Sequence, residues 1–594
     1  MKHYIFAIGA ATVCAAAFAA LPVMPKETPG PDAARVAEIA SHLPERPGWT
    51  EKYMAPNPGR ARAYLKAPIP DCSDELYLRF KRDGNRTEYQ NVYGRRLEML
   101  RHLAAMAEKE GGEYLAKTEE LLRAICAERS WVMPAHDGSL GNFNGTALTI
   151  DLGSSHRAYA IAEVLTRLGN PPPPSSGAVN RLSPETRALV MKEMERRIFS
   201  LYRATNRDSK DPKKLHGNWW FCVRSNWNAV CHANVVRAAL ALIEDRLDRA
   251  AFVESAERGM RYFLESFLED GYCTEGAGYW NYGFGHYLEL AKVLKDVSGG
   301  FVDVTRLPRA RQAMEYGFGY RLAGEKSPVF ADGGGGAPLK RYLDLGRELW
   351  PDLDATFAES MRTCFPVAQV YIMRSKRIAF GVKGGNNAEL HNHNDVGSWS
   401  ITIDGTEMAG DPGGEIYTAR TFSPKRYDSD VLNSYGHPVP LVDGTKQGAG
   451  AKFAAKVLAS EFSDARDTVT YDLKAAYPAT SNAISSLVRE VSLDRVAECV
   501  TLRDTFAFAT PGSFESAFVT YAKVEKGADG RSLILSKSAA RMKVTFEVEG
   551  GEWDLVEKSI ENPGRPSPLR MAIRFRAPVK EGAVVWRLSP ECKK

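Results

Sequence analysis

Cysteine is scarce and scattered. The chain has nine cysteines in 594 residues, and no two stand as a CxxC pair, which argues against a zinc cluster of thiolates. Histidine numbers only 11, and the HExxH spacing of many hydrolytic zinc sites is absent. An excess of one charge is also lacking. The net charge of +5 suits an acidic polymer as partner and is too weak to argue for nucleic acid. Beyond the first twenty residues no apolar run is long enough to span a membrane. There is no convincing internal repeat and no long low-complexity tract.

The first twenty residues read as a signal peptide. Lys2 and His3 give a short basic start, Ile5 to Ala20 is apolar, and Ala17-Phe18-Ala19 offers a small-x-small cleavage site. The apolar run ends near Leu21-Pro22-Val23, which is short for an anchor. Cys14 lacks the preceding residues of a lipoprotein signal. Cleavage and export, to a periplasm or outside the cell, are therefore expected, with no stable membrane insertion afterwards. Export would permit disulfides among Cys72, Cys126, Cys222, Cys231, Cys273, Cys364, Cys499 and Cys592, but their spacing gives no pairing.

What is present is ordinary for a large globular chain: 44% hydrophobic and 25% charged residues. One core rarely grows to this length, so two or three domains are expected. Residues 21–70 are rich in proline and charge and read as an N-terminal extension over the surface. From Tyr77 to about Phe365 the pattern is helical. Ala158, Ile161, Val164, Leu165 and Leu168 form one helix face, and Val230 to Ile243 a broader one. Gly/Pro-rich breaks such as Gly169 to Pro174 and Asp332 to Gly336 separate the segments, which suits an α-helical solenoid or toroid over residues 71–365. After about Val367 the texture turns to strands. Ser398–Ile403, Ser513–Val519, Met542–Val548 and Met571–Arg576 read as an antiparallel sandwich over residues 366–594. The fold class is thus multidomain α+β.

The densest chemical signal is Glu389-Leu390-His391-Asn392-His393-Asn394-Asp395. It is followed by Gly410-Asp411-Pro412-Gly413 and by Asn433-Ser434-Tyr435-Gly436-His437-Pro438. On a strand, His391 and His393 would share a face; in a loop they would diverge. A carboxylate and a third histidine would complete a zinc site of N and O ligands. Polar loop residues satisfied by backbone are the plainer alternative for a bare HxH pair. The Gly/Pro-bounded turns around Asp411 and His437, each expected just after a strand, favour the metal.

These segments resemble the heparinase II/III-like polysaccharide lyases. The likeness rests on HNHNDVGSWSITIDG, AGDPGG and TFSPKRYDSDVLNSYGHPVPLVDG, and on SWVMPAHDG, IDLGSSHRAYAIAEVL, SNWNAVCHANVV and DGYCTEGAGYWNYG upstream. The resemblance implies an N-terminal incomplete α/α toroid followed by a C-terminal antiparallel β-sandwich, and an eliminase acting on glycosaminoglycan-like or alginate-like chains. It implies that His393, Asp411 and His437 hold one structural zinc ion. His391 matches a histidine facing the substrate, Asn226 a residue neutralising the uronate carboxylate, and Tyr279 the catalytic tyrosine. The chain departs from many relatives in following Asn226 with Trp227 rather than histidine. Tyr282, three residues beyond Tyr279, competes for the tyrosine's role.

The chemistry suits these residue types. β-Elimination removes the weakly acidic C5 proton beside a uronate carboxylate, so a neutral donor such as Asn226 would stabilise the developing charge. Tyr279 would take the proton and protonate the departing O4, and His391 would serve the opposite face of the sugar. Two other classes stay open: a zinc hydrolase with Glu389 as base, and a non-catalytic binder of acidic glycans. Trp227, Tyr282, Tyr417 and Arg420 are candidate substrate contacts. Trp219, Trp220 and Trp280 fit sugar stacking or core packing equally. His232 reads as a satisfied helix histidine, and His156 as a cleft or capping residue. Arg157 and Arg224 are candidate partners for carboxylate or sulfate. The glycines after Asp332 mark a mobile loop, a lid or a connection.

Overall fold

A computed structural model describes residues 31–169, 181–205, 217–334, 336–354, 360–480 and 482–591. The expected signal peptide, the break at Asn170 to Pro174 and Cys592 lie outside them. Helices run from Ala33–His42 to Lys340–Leu349, and strands from Arg362–Phe365 to Val579–Pro590. The chain is α+β, an incomplete α/α toroid followed by an antiparallel β-sandwich. It divides into two compact units that interleave in sequence. The first is Met1–Ser266, Tyr282–Pro308 and Thr418–Ser423; the second is Phe267–Asn281, Arg309–Tyr417 and Pro424–Lys594.

In the first unit, helices Leu152–Gly169 and Asn226–Leu242 pack together. Ala158, Ile161, Val164, Leu165 and Leu168 are buried, as are nearly all residues of the second helix. A helix apolar on every side belongs inside a helical layer. The proline- and charge-rich extension contains two helices, Ala33–His42 and Pro58–Lys66. Asp32 and Asn57 cap them through side-chain oxygens, a start signal that composition alone hides. The first docks on helix Arg246–Leu264, where Arg35 pairs with Glu257 at 2.8 Å.

Several candidates resolve as scaffold here. Arg157 is 1% exposed and is held by Glu128 at 2.6 Å and the Trp131 carbonyl at 2.7 Å, so it does not serve as an open anion contact. Arg224 pairs with Glu265. Trp220 is buried and donates to the Ile150 carbonyl. His232 is buried between the Tyr202 hydroxyl at 2.6 Å and the Phe221 carbonyl at 3.0 Å, as a satisfied helix histidine should be.

The second unit holds antiparallel sheets of five, eight, four and two strands. The eight-stranded sheet runs from Lys523–Lys526 at one edge to Lys456–Phe462 at the other. Alternation along Ala540–Glu549 buries Met542, Val544 and Phe546 in the core, with the Phe546 ring 5.4 Å from that of Trp586. The five-stranded sheet ends on Trp399–Ile403 and Thr406–Gly410, which lead into the candidate site. A buried pair pins this region. Arg489 binds Asp504 through two bonds of 2.7 and 2.8 Å, and its remaining nitrogen donates to the Gly397 and Pro438 carbonyls at 2.7 Å each. Trp280 is also core, fully buried with its indole N–H on the Ala313 carbonyl. Among the described residues Cys72, Cys126, Cys231, Cys273, Cys364 and Cys499 form no disulfide.

Candidate active site and metal centre

Residues 388–398 form a loop, so the period-two geometry of a strand does not apply to His391 and His393. His391 adopts a left-handed backbone, φ 54°, which is costly for a residue with a Cβ and is found at sites that need it. Its ring is partly exposed, while His393 is fully buried. The two side chains diverge, yet both meet Asp332. His391 Nδ1 lies 3.0 Å from Asp332 Oδ2, and His393 Nε2 lies 2.9 Å from Asp332 Oδ1.

Asp332 opens the glycine-rich segment expected to be mobile. Its structure explains Gly333 differently. A Cβ on Gly333 would sit 2.4 Å from the Glu275 carbonyl, and one on Gly278 would sit 2.0 Å from the Gly333 carbonyl. Only glycine lets these two backbones touch. Asp332 and Gly333 are therefore packed against the Glu275–Gly278 turn, which is not how a lid behaves. Arg426 completes the cluster, 2.8 Å from Asp332 Oδ2, and also donates to the His391 and Asn392 carbonyls. Burial disfavours the Asp332 charge, but the two histidines and Arg426 outweigh it and hold its carboxyl well below the usual range.

Tyr279 lies in a single helical turn, Ala277–Tyr279, followed by a widened π turn, Trp280–Phe284. Its ring stacks on His391 with centroids 4.4 Å apart, and its hydroxyl lies 2.7 Å from that of Tyr417. Tyr417 Oη is in turn 3.4 Å from His391 Nδ1. Burial, then the charge of Asp332, raises the Tyr417 phenol far above its usual value, so it stays neutral. Burial pulls the His391 imidazole down, but Asp332 and Glu275 reverse this and its affinity for a proton is raised. Glu275 Oε2 is 3.9 Å from His391 Nε2. The three groups Tyr279, Tyr417 and His391 are all partly open to solvent.

Behind them lies a sealed group. His393, Asp411 and His437 are buried and offer ligand atoms within 4.8 Å of one another, so they can hold a metal ion. Asp411 follows strand Thr406–Gly410 directly. His437 follows a short 3-10 turn, Ser434–Gly436, rather than the expected strand. Their hydrogen bonds fit a metal. Ionised carboxylates only accept, so His437 Nδ1–H donates to Asp411 Oδ2 at 2.9 Å and His393 Nε2–H donates to Asp332. That leaves His437 Nε2 and His393 Nδ1 as bare lone pairs, and both are buried without a hydrogen-bond partner among the described residues. Burying such atoms is costly unless something binds them. Ser398 and the Gly413 N–H fix the Asp411 carboxylate at 2.7 and 2.9 Å. Glu389, considered as a hydrolytic base, faces Lys383 at 3.6 Å.

The other predicted residues belong to the first unit. Asn226 is buried at the start of helix Asn226–Leu242, where backbone N–H groups and the helix dipole favour negative charge. A Cβ on Gly283 would come within 2.9 Å of the Asn226 Cβ, so this glycine lets the helix start pack closely. Trp227 and Trp219 are partly exposed, with rings 4.9 Å apart, and His136 sits 4.5 Å from Trp227. Tyr282 pairs with His156 at 3.3 Å. Arg420 lies in a 3-10 turn, Arg420–Phe422. Sequence reading thus missed Asp332, Glu275 and Arg426 as members of the site, although the last two lie inside the motifs quoted above.

No family model matches the chain, and no curated protein sequence matches it. Solved structures do. Heparinase III aligns over 99% of this chain and 92% of its own, with a TM-score of 0.63 at 12% identity. A second heparinase III gene product aligns over 91% and 85%, with a TM-score of 0.63 at 11% identity. The heparan sulfate lyase of Pedobacter heparinus aligns over 98% and 88%, with a TM-score of 0.55 at 11% identity. At these identities the likeness is one of architecture. The chain has the heparinase-like polysaccharide lyase fold.

Proposed function

We propose that this chain is a polysaccharide lyase that cleaves an acidic, uronate-containing glycan by β-elimination, leaving 4,5-unsaturated uronate ends. The observation that carries this reading is the hydroxyl pair of Tyr279 and Tyr417 beside the His391 ring, a partly exposed proton-transfer set. A protein that only binds glycans needs no such set. The fold agrees, because the structures sharing it include heparinase III and a heparan sulfate lyase.

In this reading the amide of Asn226 meets the uronate carboxylate and stabilises the charge that develops there. Tyr279 takes the C5 proton and returns a proton to O4 as the C4–O4 bond breaks. Tyr417, neutral and hydrogen-bonded to the Tyr279 oxygen, stabilises that oxygen while it is charged. His391 faces the sugar from the same cluster, and Trp227, Tyr282 and Arg420 contact neighbouring residues of the glycan. His393, Asp411 and His437 hold the metal, and two imidazoles with one carboxylate suit zinc. Bound zinc supplies structure here, fixing the loop that carries His391. A zinc hydrolase reading loses support because Glu389 pairs with Lys383. The basic start, apolar run and small-x-small site of residues 1–20 support export to a periplasm or beyond.

The test is ultraviolet absorbance of the purified mature protein with heparan sulfate, heparin, chondroitin sulfate, hyaluronan and alginate. The new C4–C5 double bond is conjugated to the carboxylate and absorbs where the substrate does not. A rise on one polymer is expected. Saturated fragments without absorbance would instead identify a hydrolase.

A further inference from the structure

We infer that Asp332 is a positioning residue that joins His391 to the metal-holding His393 through one carboxylate, so that metal binding orders the histidine facing the substrate. Only the turnover arm of its test rests on the lyase reading above. One oxygen of Asp332 accepts from His393 Nε2 at 2.9 Å, and the other accepts from His391 Nδ1 at 3.0 Å. The carboxylate is 1% exposed, so neither bond competes with bulk water. A metal-ligating histidine commonly donates its second ring N–H to a carboxylate, which fixes its tautomer and orientation. Here that carboxylate does the same for a second histidine.

The surroundings leave Asp332 little freedom. Its backbone N–H is 3.3 Å from the His391 carbonyl. Ala331 and His391 both take left-handed backbones, φ 61° and 54°, on either side of that contact. Such strain persists only where neighbouring structure imposes it. Arg426 offsets the carboxylate charge at 2.8 Å and grips the His391 and Asn392 carbonyls. A purely structural Asp332–Arg426 ion pair would need neither histidine. The arrangement fixes the His391 hydrogen on Nδ1 and leaves Nε2 directed away from Asp332.

The experiment compares wild type with Asp332→Ala and Asp332→Asn in the full chain, using zinc as the probe. Bound zinc is measured at graded chelator concentrations, and ring nitrogen resonances of His391, assigned through His391→Gln, report its tautomer. Wild type is expected to carry the Nδ1–H form, and stripping zinc should shift its resonances. In Asp332→Ala, zinc affinity should fall about 10–100-fold, and the His391 signals should no longer respond to zinc. At saturating zinc, kcat should fall by a similar factor while KM changes less than about threefold. Unchanged His391 signals and an unchanged zinc response in Asp332→Ala would overturn the inference. If that variant does not fold, Asp332→Asn decides: its amide donor should drive His391 to the Nε2–H form, and a retained Nδ1–H form overturns the inference. If wild type cleaves no uronate polymer, the lyase reading fails while the zinc and resonance arms still decide the role of Asp332.

Discussion

Tyr279 and His391 stack with ring centroids 4.4 Å apart and planes 26° from parallel. The phenol and the imidazole therefore present one surface, with the Tyr417 hydroxyl 2.7 Å from that of Tyr279. This geometry makes separate predictions for the two tyrosines. On the proposed lyase reading Tyr279→Phe removes the proton-transferring oxygen, and kcat should fall by about 10²–10⁴. Tyr417→Phe removes only the partner of that oxygen and should cost about 10-fold, the scale of one hydrogen bond. Initial rates by absorbance, with circular dichroism to confirm folding, check both. Equal losses in the two variants would instead make Tyr417 an equal participant in proton transfer.

Metal removal should act on stability before chemistry. The candidate ligand group is buried, and two of its ring nitrogens lack a hydrogen-bond partner among the described residues. An ion held by the folded state alone contributes about 2.7 kcal/mol when free metal is a hundredfold above Kd. Chelator should therefore lower the melting temperature, and zinc should restore it. His437→Gln should melt at the stripped temperature and show no response to zinc. Elemental analysis should find about one zinc per chain in wild type and none in that variant.

How much of this was legible follows from where each residue gets its geometry. Alternation alone announces a strand such as Ala540–Glu549, because each side chain's environment is set by its own register. His393, Asp411 and His437 are legible for a different reason: all three stand in short motifs punctuated by glycine or proline. Asp332 was not, because it meets His391 from 59 residues away and its glycines read as slack. Gly333, the first of them, is in fact a position where two backbones touch. Helix Ala33–His42 was hidden in a segment whose overall composition looked irregular, although Asp32 caps it. The HxH pair left two geometries open. A strand would have aimed both rings alike, but φ 54° at His391 turns one outward.

The support for the site extends into the sandwich core. Arg489 is fully buried, as is Asp504, and its third contact set is the pair of carbonyls at Gly397 and Pro438. Pro438 follows His437, so this guanidinium fixes the backbone beside a candidate metal ligand. Arg489→Ala leaves a buried carboxylate uncompensated and should cost about 3–5 kcal/mol in chemical denaturation. Arg489→Ala with Asp504→Asn removes the stranded charge and should recover part of that loss. Zinc affinity should stay reduced in both, because the grip on Pro438 is absent from each. Recovery of zinc affinity in the double variant would place the effect in charge rather than in backbone position.

The first unit should carry its own acid sensitivity. His156 lies against Tyr282 and close to His286, and burial followed by the His286 charge lowers its pKa to about 3. In the unfolded chain the group titrates at about 6.5. The unfolded state therefore binds the proton more readily, and the native state is favoured only while His156 is neutral. Its contribution is fully present above about pH 6.5 and is lost as pH falls from there toward about 3, by at most about 1.4 kcal/mol for each pH unit. His156→Gln keeps a polar group beside the Tyr282 hydroxyl but cannot take up the proton. Urea denaturation of wild type and variant at pH 7 and pH 4.5 checks this, and the gap between them should narrow or reverse at the lower pH. A constant gap would mean that the imidazole finds water or an anion on unfolding no better than it does in the native fold.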